Sequence, residues 1–129
     1  MDLLGDKWSM IIVRDLFNGK KTFGEFLDSN EKISTSVLTS RLELLKNSSI
    51  VDYRLSSEDK KVKLYYLTDK GIDLFPVICE MYFWSQRNFD TDLHPKFIRW
   101  SELIEGMSME EIVANEQKNY LKIRSNILK

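Results

Sequence analysis

The stretch from Ile33 to Gly71 constrains the fold more than any other part of the chain. Ser34 can accept a backbone N–H of the first turn and so start a helix that runs to about Asn47. Val37, Leu38, Leu42, Leu44 and Leu45 recur at helical spacing, leaving Thr35, Ser36, Thr39, Ser40 and Glu43 outward and Arg41 at the edge. After Asn47-Ser-Ser and Ile50, Tyr53 and Leu55 alternate with Arg54 in a strand over 52–56. Ser57 to Lys61 reads as a turn, and Val62 to Leu67 returns as a second strand. Its Val62, Leu64 and Tyr66 lie on one face, its Lys63, Tyr65 and Leu67 on the other. Thr68-Asp-Lys-Gly71 then caps the next helix.

Two shorter elements precede this unit. Trp8, Ile11, Ile12 and Leu16 predict an inward stripe on a helix from Asp6 or Lys7 to Phe17, stopped by Asn18-Gly19. Thr22 with Glu25 makes a capping box for a short helix from Phe23 to about Ser29, with Phe23, Phe26 and Leu27 inward.

Downstream, one helix is predicted from Thr68 to roughly Asn88. Ile72, Phe75, Ile78 and Tyr82 form one apolar stripe, and Leu74, Val77, Met81 and Trp84 form another. A helix apolar on two sides needs a second surface, and the expectation is another subunit. Pro76 either kinks this helix or marks a true break. Beyond Asp92, Phe97, Trp100, Leu103 and Ile104 suggest a helix ending near Gly106. Ser108 and Glu111 make another capping box, and Ile112, Val113, Tyr120, Ile123 and Ile127 line a last helix. The fold class expected is mainly α with a small β-hairpin (α+β).

At 129 residues the chain fits one compact unit with an appended tail. Its longest apolar run, Leu74 to Trp84, is interrupted by Pro76 and Glu80 and falls short of the ~18–20 residues of a membrane helix. Met1 leads straight into an acidic amphipathic stretch, which predicts no secretion leader. The single cysteine excludes an internal disulfide framework and fits a cytoplasmic protein. Net charge is −1, with 11 basic against 10 acidic side chains in 1–67 and 8 against 10 in 68–129. A general polyanion binder is therefore not expected; any contact with nucleic acid must come from local placement of charge.

A capped helix followed by a hairpin is an arrangement that lays one helix in a DNA major groove and a ribbon on the adjacent backbone. Thr35, Ser36, Thr39 and Ser40 are short hydroxyl side chains able to approach phosphates or base edges closely. A solvated helix face is the plainer reading of the same residues. Arg41 could pair bidentately with guanine or phosphate, or bridge to an acid near Glu43 or on the second helix. Ser34 caps its helix and, with the free N–H groups beside it, could hold a phosphate. Arg54, Lys60, Lys61 and Lys63 lie on the hairpin, where lysines protect an edge or reach a sugar-phosphate backbone, and Lys20 and Lys21 could act likewise. His94, the only histidine, reads as incidental in a loop beside Pro95, and Cys79 reads as a small core hydrophobe. Glu110 and Glu111 suit a helix N-terminus. No phosphate loop, nucleophile elbow, paired histidines or metal-spaced cluster occurs, so neither enzyme chemistry nor a cofactor is expected.

These residues together resemble the HxlR-type winged helix-turn-helix transcriptional regulators of bacteria. The resemblance is carried by Leu4-Gly-Asp-Lys-Trp-Ser9, Arg14-Asp-Leu-Phe-Asn-Gly19, Phe23-Gly-Glu-Phe26 and Ile33-Ser34. It continues through Leu38-Thr39, Arg41-Leu42, Tyr66-Leu-Thr-Asp-Lys-Gly71 and Pro76. It implies a winged helix-turn-helix over 1–92 that includes a dimerisation helix, with residues 93–129 as a C-terminal helical extension. Residues 34–46 would be the recognition helix and 56–62 the wing. A homodimer on an inverted-repeat operator in double-stranded DNA is implied, together with a small-molecule effector. Its dimer surface would draw on Leu3, Leu4, Trp8, Phe75, Ile78, Tyr82 and Phe83. Many members carry a cysteine shortly before the Gly-x-Lys-Trp segment; this chain has none there, so an oxidant-sensing role does not carry over. The rival expectation is a winged-helix protein-interaction module without direct DNA binding, motivated by the near-neutral charge.

Overall fold

A computed structural model of the protein describes residues 5–89 and 100–129. In chain order the elements are α1 (Lys7–Phe17), α2 (Phe23–Leu27), α3 (Thr35–Asn47), β1 (Val51–Leu55), β2 (Lys63–Leu67), α4 (Asp69–Ile72), α5 (Phe75–Asn88) and α6 (Met109–Ile127). Residues 100–103 are also helical. The expectations at Leu3 and Leu4, His94 and Phe97 fall outside the described residues.

The caps predicted for α2 and α3 form. Thr22 and Glu25 satisfy each other's backbone N–H groups in a complete capping box, and Ser34 accepts from the N–H of Val37 at 3.3 Å. Ser108 accepts from the N–H of Glu111 at 3.1 Å and opens α6. At the end of α1 the chain turns through Gly19 at φ +97°, a conformation that a side chain resists. The hairpin pairs Val51 with Leu67 through Leu55 with Lys63, antiparallel.

α1 buries a wider arc than its Trp8–Ile11–Ile12–Leu16 stripe predicts. Ile12, Val13, Leu16 and Phe17 are core residues, whereas Trp8 and Ile11 are only half-buried. The cause is that α1 is packed on two sides. α3 lies against one, while Phe17 meets Phe75 of α5 and Tyr120 of α6 edge-on at ring-centroid distances of 5.0 and 5.4 Å. Asp15 is buried on the same helix, held by Arg14 at 3.0 Å and Lys20 at 3.5 Å, a pairing that offsets its desolvation.

The single helix expected over 68–88 is two helices. α4 ends at Ile72 and α5 opens at Phe75, which puts Pro76 in a first turn, where its missing N–H removes no bond. On its Phe75 side α5 is covered within the protomer. Phe75 is 6% exposed and sits in the protomer's own core, and Tyr82 packs edge-on to Trp100 at 4.9 Å. The C-terminal helix supplies this cover. Tyr120 is buried, and its hydroxyl oxygen accepts from the N–H of Leu67 at 2.8 Å. Burial pushes that phenol up to about 12, which keeps it neutral. Arg124 donates to the carbonyl of Leu67 and Gln117 to that of Ile72, both at 3.2 Å. The described tail residues, 100–129, thus pack on the core through Ile104, Ile112 and Tyr120. Val77, Met81 and Trp84, the other stripe of α5, stay exposed.

No helix among the described residues is long and apolar enough to cross a membrane. The junction of hairpin and α4 is tight. The N–H of Thr68 bonds the Ile50 carbonyl at 3.0 Å, and a Cβ on Gly71 would overlap that same oxygen. Gly71→Ala is expected to lower unfolding free energy by about 2 kcal/mol or more, since backbone rather than a flexible side chain must move. Urea denaturation checks this; an unchanged midpoint would mean that the junction is looser than described.

Candidate nucleic-acid interface

The leucines that hold α3 also decide which of its side chains face out. Leu38, Leu42 and Leu45 are buried, so Thr35, Ser36, Thr39, Ser40 and Glu43 are exposed on the opposite side. No described part of the C-terminal tail makes a hydrogen bond or ion pair to this row. The hydroxyls are not equivalent. Thr39 donates to the carbonyl of Thr35 at 2.9 Å, which leaves its oxygen as an acceptor, while Ser34 and Ser36 lie 3.4 Å apart across the cap.

Arg41 is fastened to α1, not to an acid near Glu43 or on α2. Its Nε donates to Oδ2 of Asp6 at 2.6 Å, and its Nη1 to Ser40 at 3.2 Å. Asp6 also accepts from Ser9 at 2.6 Å. Burial works to raise the Asp6 carboxyl, but the bonds from Ser9 and Arg41 outweigh it and hold the group below the ordinary carboxylate range. The chain Ser9–Asp6–Arg41–Ser40 therefore ties the start of α1 to the middle of α3.

The other cations divide into two sets. Lys20 turns inward, to Asp15 at 3.5 Å and the carbonyl of Asp28 at 3.3 Å. Arg54 donates to the carbonyl of Lys129 at 3.0 Å, so the end of the tail holds it. Neither is presented as the hairpin reading expected. Lys21, Lys60, Lys61 and Lys63 are exposed. The carbonyl of Lys21 accepts from Tyr65 at 2.7 Å, which fastens the α1–α2 connection to β2, and Lys61 and Lys63 share a shallow groove with Thr22, Phe23 and Gly24. The tip of the hairpin is braced by Asp59, whose carboxylate accepts from the N–H of Lys61 at 3.0 Å.

Two residues here, Lys46 and Tyr53, were not among the expected site residues. Lys46 and Lys63 both lie over the Tyr53 ring, at 5.6 and 4.7 Å, and Lys46 also approaches Asp52 at 3.9 Å. This cluster links the last turn of α3 to the hairpin. The spacing of seven residues from Thr39 already puts Lys46 on the outward face; Tyr53 had no such signal, because its neighbours come from another element.

Of the predicted dimer contacts, Trp8 and Phe83 are half-buried. Ile78 and Tyr82 are half-buried as well, Phe75 is buried, and these three line a partly open cavity. Cys79 is buried, and burial together with Glu80 and Glu116 pushes its thiol up to about 11, so it is the inert core residue expected.

Comparison with known proteins gives one consistent answer. A family model described as HxlR-like helix-turn-helix matches residues 3–93. The uncharacterized HTH-type transcriptional regulator sll1512 of Synechocystis sp. is 35% identical over 82 residues, which is 64% of this chain and 61% of the relative. The chain thus spans about three fifths of that protein's length. The HTH-type transcriptional regulator YodB of Bacillus subtilis is 34% identical over 66% of this chain and 76% of its own. The reduced form of YodB superposes with a TM-score of 0.60 at 33% identity, covering 70% of this chain and 90% of that one. The redox regulator HypR in its oxidized form gives 0.60 at 32% identity over 70% and 93%.

The Asp6–Arg41 tie has a pH signature. A carboxyl held low in the folded state contributes stability that is complete above its unfolded value, about 3.9, and fades as pH falls through the folded one. Asp6→Asn should lower the melting temperature at pH 7 by roughly 2–5 °C, a gap that starts to narrow only as pH falls below about 4. Thermal scans of both proteins at pH 7 and through the acid range read this directly; a gap that does not narrow with acid would assign the loss to packing.

Proposed function

This chain belongs to the HxlR-like helix-turn-helix family of transcriptional regulators, and from that premise we propose that it binds double-stranded DNA as a homodimer, with α3 in the major groove. It is a regulator, as its relatives are, and not an enzyme. The observation that carries the DNA reading is the uncovered hydroxyl row of α3, continued through Lys46, Tyr53 and Lys63 into the hairpin. Short side chains let the helix approach base edges, and the flanking lysines supply attraction to phosphate that a chain of net charge −1 lacks elsewhere.

In this reading Ser34, Thr35, Ser36, Thr39 and Ser40 meet the groove. Lys21, Lys46, Lys60, Lys61 and Lys63 meet the backbone. Arg41 sets the pose of α3 through Asp6 and has its remaining guanidinium N–H groups for DNA. Lys20 and Arg54 drop out, being committed to Asp15 and to the chain end. We assign the twofold contact to the exposed Val77, Met81 and Trp84 of α5, with Trp8 and Phe83 retained as candidates. Residues 1–92 are then the DNA-binding and dimerising unit, and 93–129 an extension that braces it in a cytoplasmic regulator. The operator expected is an inverted repeat, since a twofold dimer presents its helices as a symmetric pair.

One observation favours a second reading, a protein-interaction module of the same fold. At the hairpin tip Glu58 and Asp59 balance Lys60 and Lys61, so its local net charge is zero. Titration of the purified protein against genomic fragments at two salt concentrations separates the two, because the module shows no binding even at low salt.

The lysines can be tested apart from sequence choice. Each phosphate contact contributes roughly 0.9 to the slope of log K against log salt, so Lys60→Ala with Lys61→Ala should flatten that slope by up to about 2. Preference among DNA sequences should stay unchanged. Loss at one sequence alone would contradict the backbone role.

A further inference from the structure

The cavity behind the helix-turn-helix differs in character from the outer face of α3. It measures about 590 Å³ and lies between α1, the 28–31 turn, α5 and the tail residues Trp100 and Glu116. That is within the range of pockets that hold drug-sized molecules. One wall is aromatic, with Tyr82 edge-on to Trp100 at 4.9 Å and Phe17 edge-on to Phe75 at 5.0 Å. The polar wall carries four carboxylates, Asp15, Asp28, Glu31 and Glu116, against two cations, Arg14 and Lys20.

Both cations are already matched. Arg14 grips Glu31 through two bonds of 2.7 and 3.1 Å and Asp15 at 3.0 Å, and Lys20 reaches Asp15. Asp28 and Glu116 are left without a counter-charge among the described residues; Glu116 accepts only the indole N–H of Trp100, at 3.1 Å. An anionic guest would have to displace an existing ion pair. A cationic one would find two carboxylates beside the aromatic side chains of Phe17, Phe75, Tyr82 and Trp100. The cavity's cysteine, Cys79, has its thiol held neutral by burial, so the site is suited to reversible rather than covalent capture.

We propose that this cavity is a binding site for an amphipathic organic cation, an amine or onium compound with an aromatic or bulky apolar body. The proposal rests on the regulator reading only in that such a guest would be its effector. Asp28 and Glu31 belong to the turn that carries α2 into α3, so a guest there touches the segment that aims the recognition helix.

The test is calorimetric titration of the full chain, without DNA, using tetraphenylphosphonium and its anionic counterpart of equal size and shape, tetraphenylborate. Saturable binding of one phosphonium per chain is expected, with the borate weaker by roughly tenfold or more. Glu116→Gln keeps an acceptor for Trp100 and should weaken the phosphonium by roughly fivefold while leaving the borate unchanged. Asp28→Asn, at an exposed position, should act in the same direction and serves if the first variant loses its helix content by circular dichroism. Equal affinity for the two ions, no saturable phosphonium binding, or indifference to the folded carboxylate variants would overturn the proposal. Since no DNA is present, each of these results is distinct from a failure to bind an operator.

Discussion

Leu38, Leu42 and Leu45 press α3 against α1 and α2, and the orientation of its outer face depends on that contact. Each buried leucine stabilises the packed arrangement by roughly 1.5–3 kcal/mol, far more than any of the exposed hydroxyls contributes to the helix. The division of labour follows. The underside fixes rotation about the helix axis, and the row from Thr35 to Ser40 is then free to vary with function. The Asp6–Arg41 bond adds a lateral constraint on the same helix, from an arginine whose position at the edge of the leucine stripe leaves it half-buried.

The tail matters because it changes what α5 has to do. Tyr120 closes the end of β2 by accepting from Leu67, while Ile112 and Tyr120 join the core. With one flank of α5 covered from within, Val77, Met81 and Trp84 are its large apolar side chains left exposed among the described residues. The family match stops at residue 93, so this cover, including the Trp100 and Glu116 that close one side of the cavity, lies beyond the matched part of the chain.

The local elements were legible because their signals are local. Ser34 and Thr22 with Glu25 are capping side chains that act within one turn, and the hairpin follows from alternation over five residues a side. Pro76 was ambiguous between kink and break, as a proline is tolerated at a helix start and the sequence does not say where that start lies. The candidate site was legible in its helix and illegible in its partners. Arg41 pairs across 35 residues with Asp6, Arg54 with the last residue, and Lys46 with a tyrosine on the next element. Such pairings are set by packing, which no spacing rule encodes. Phe75, expected at an interface, is buried in the protomer's own core for the same reason: an apolar stripe shows that a face must be covered, not by what.

The central claim is that the exposed row of α3 reads DNA as half of a symmetric pair. Selection of bound duplexes from a random pool by the purified full chain tests it most directly. The account predicts enrichment of an inverted repeat whose half-sites are centred about one helical turn, or a multiple of it, apart. A pool that does not enrich at low salt, or one that converges on a single unrepeated site, would contradict it.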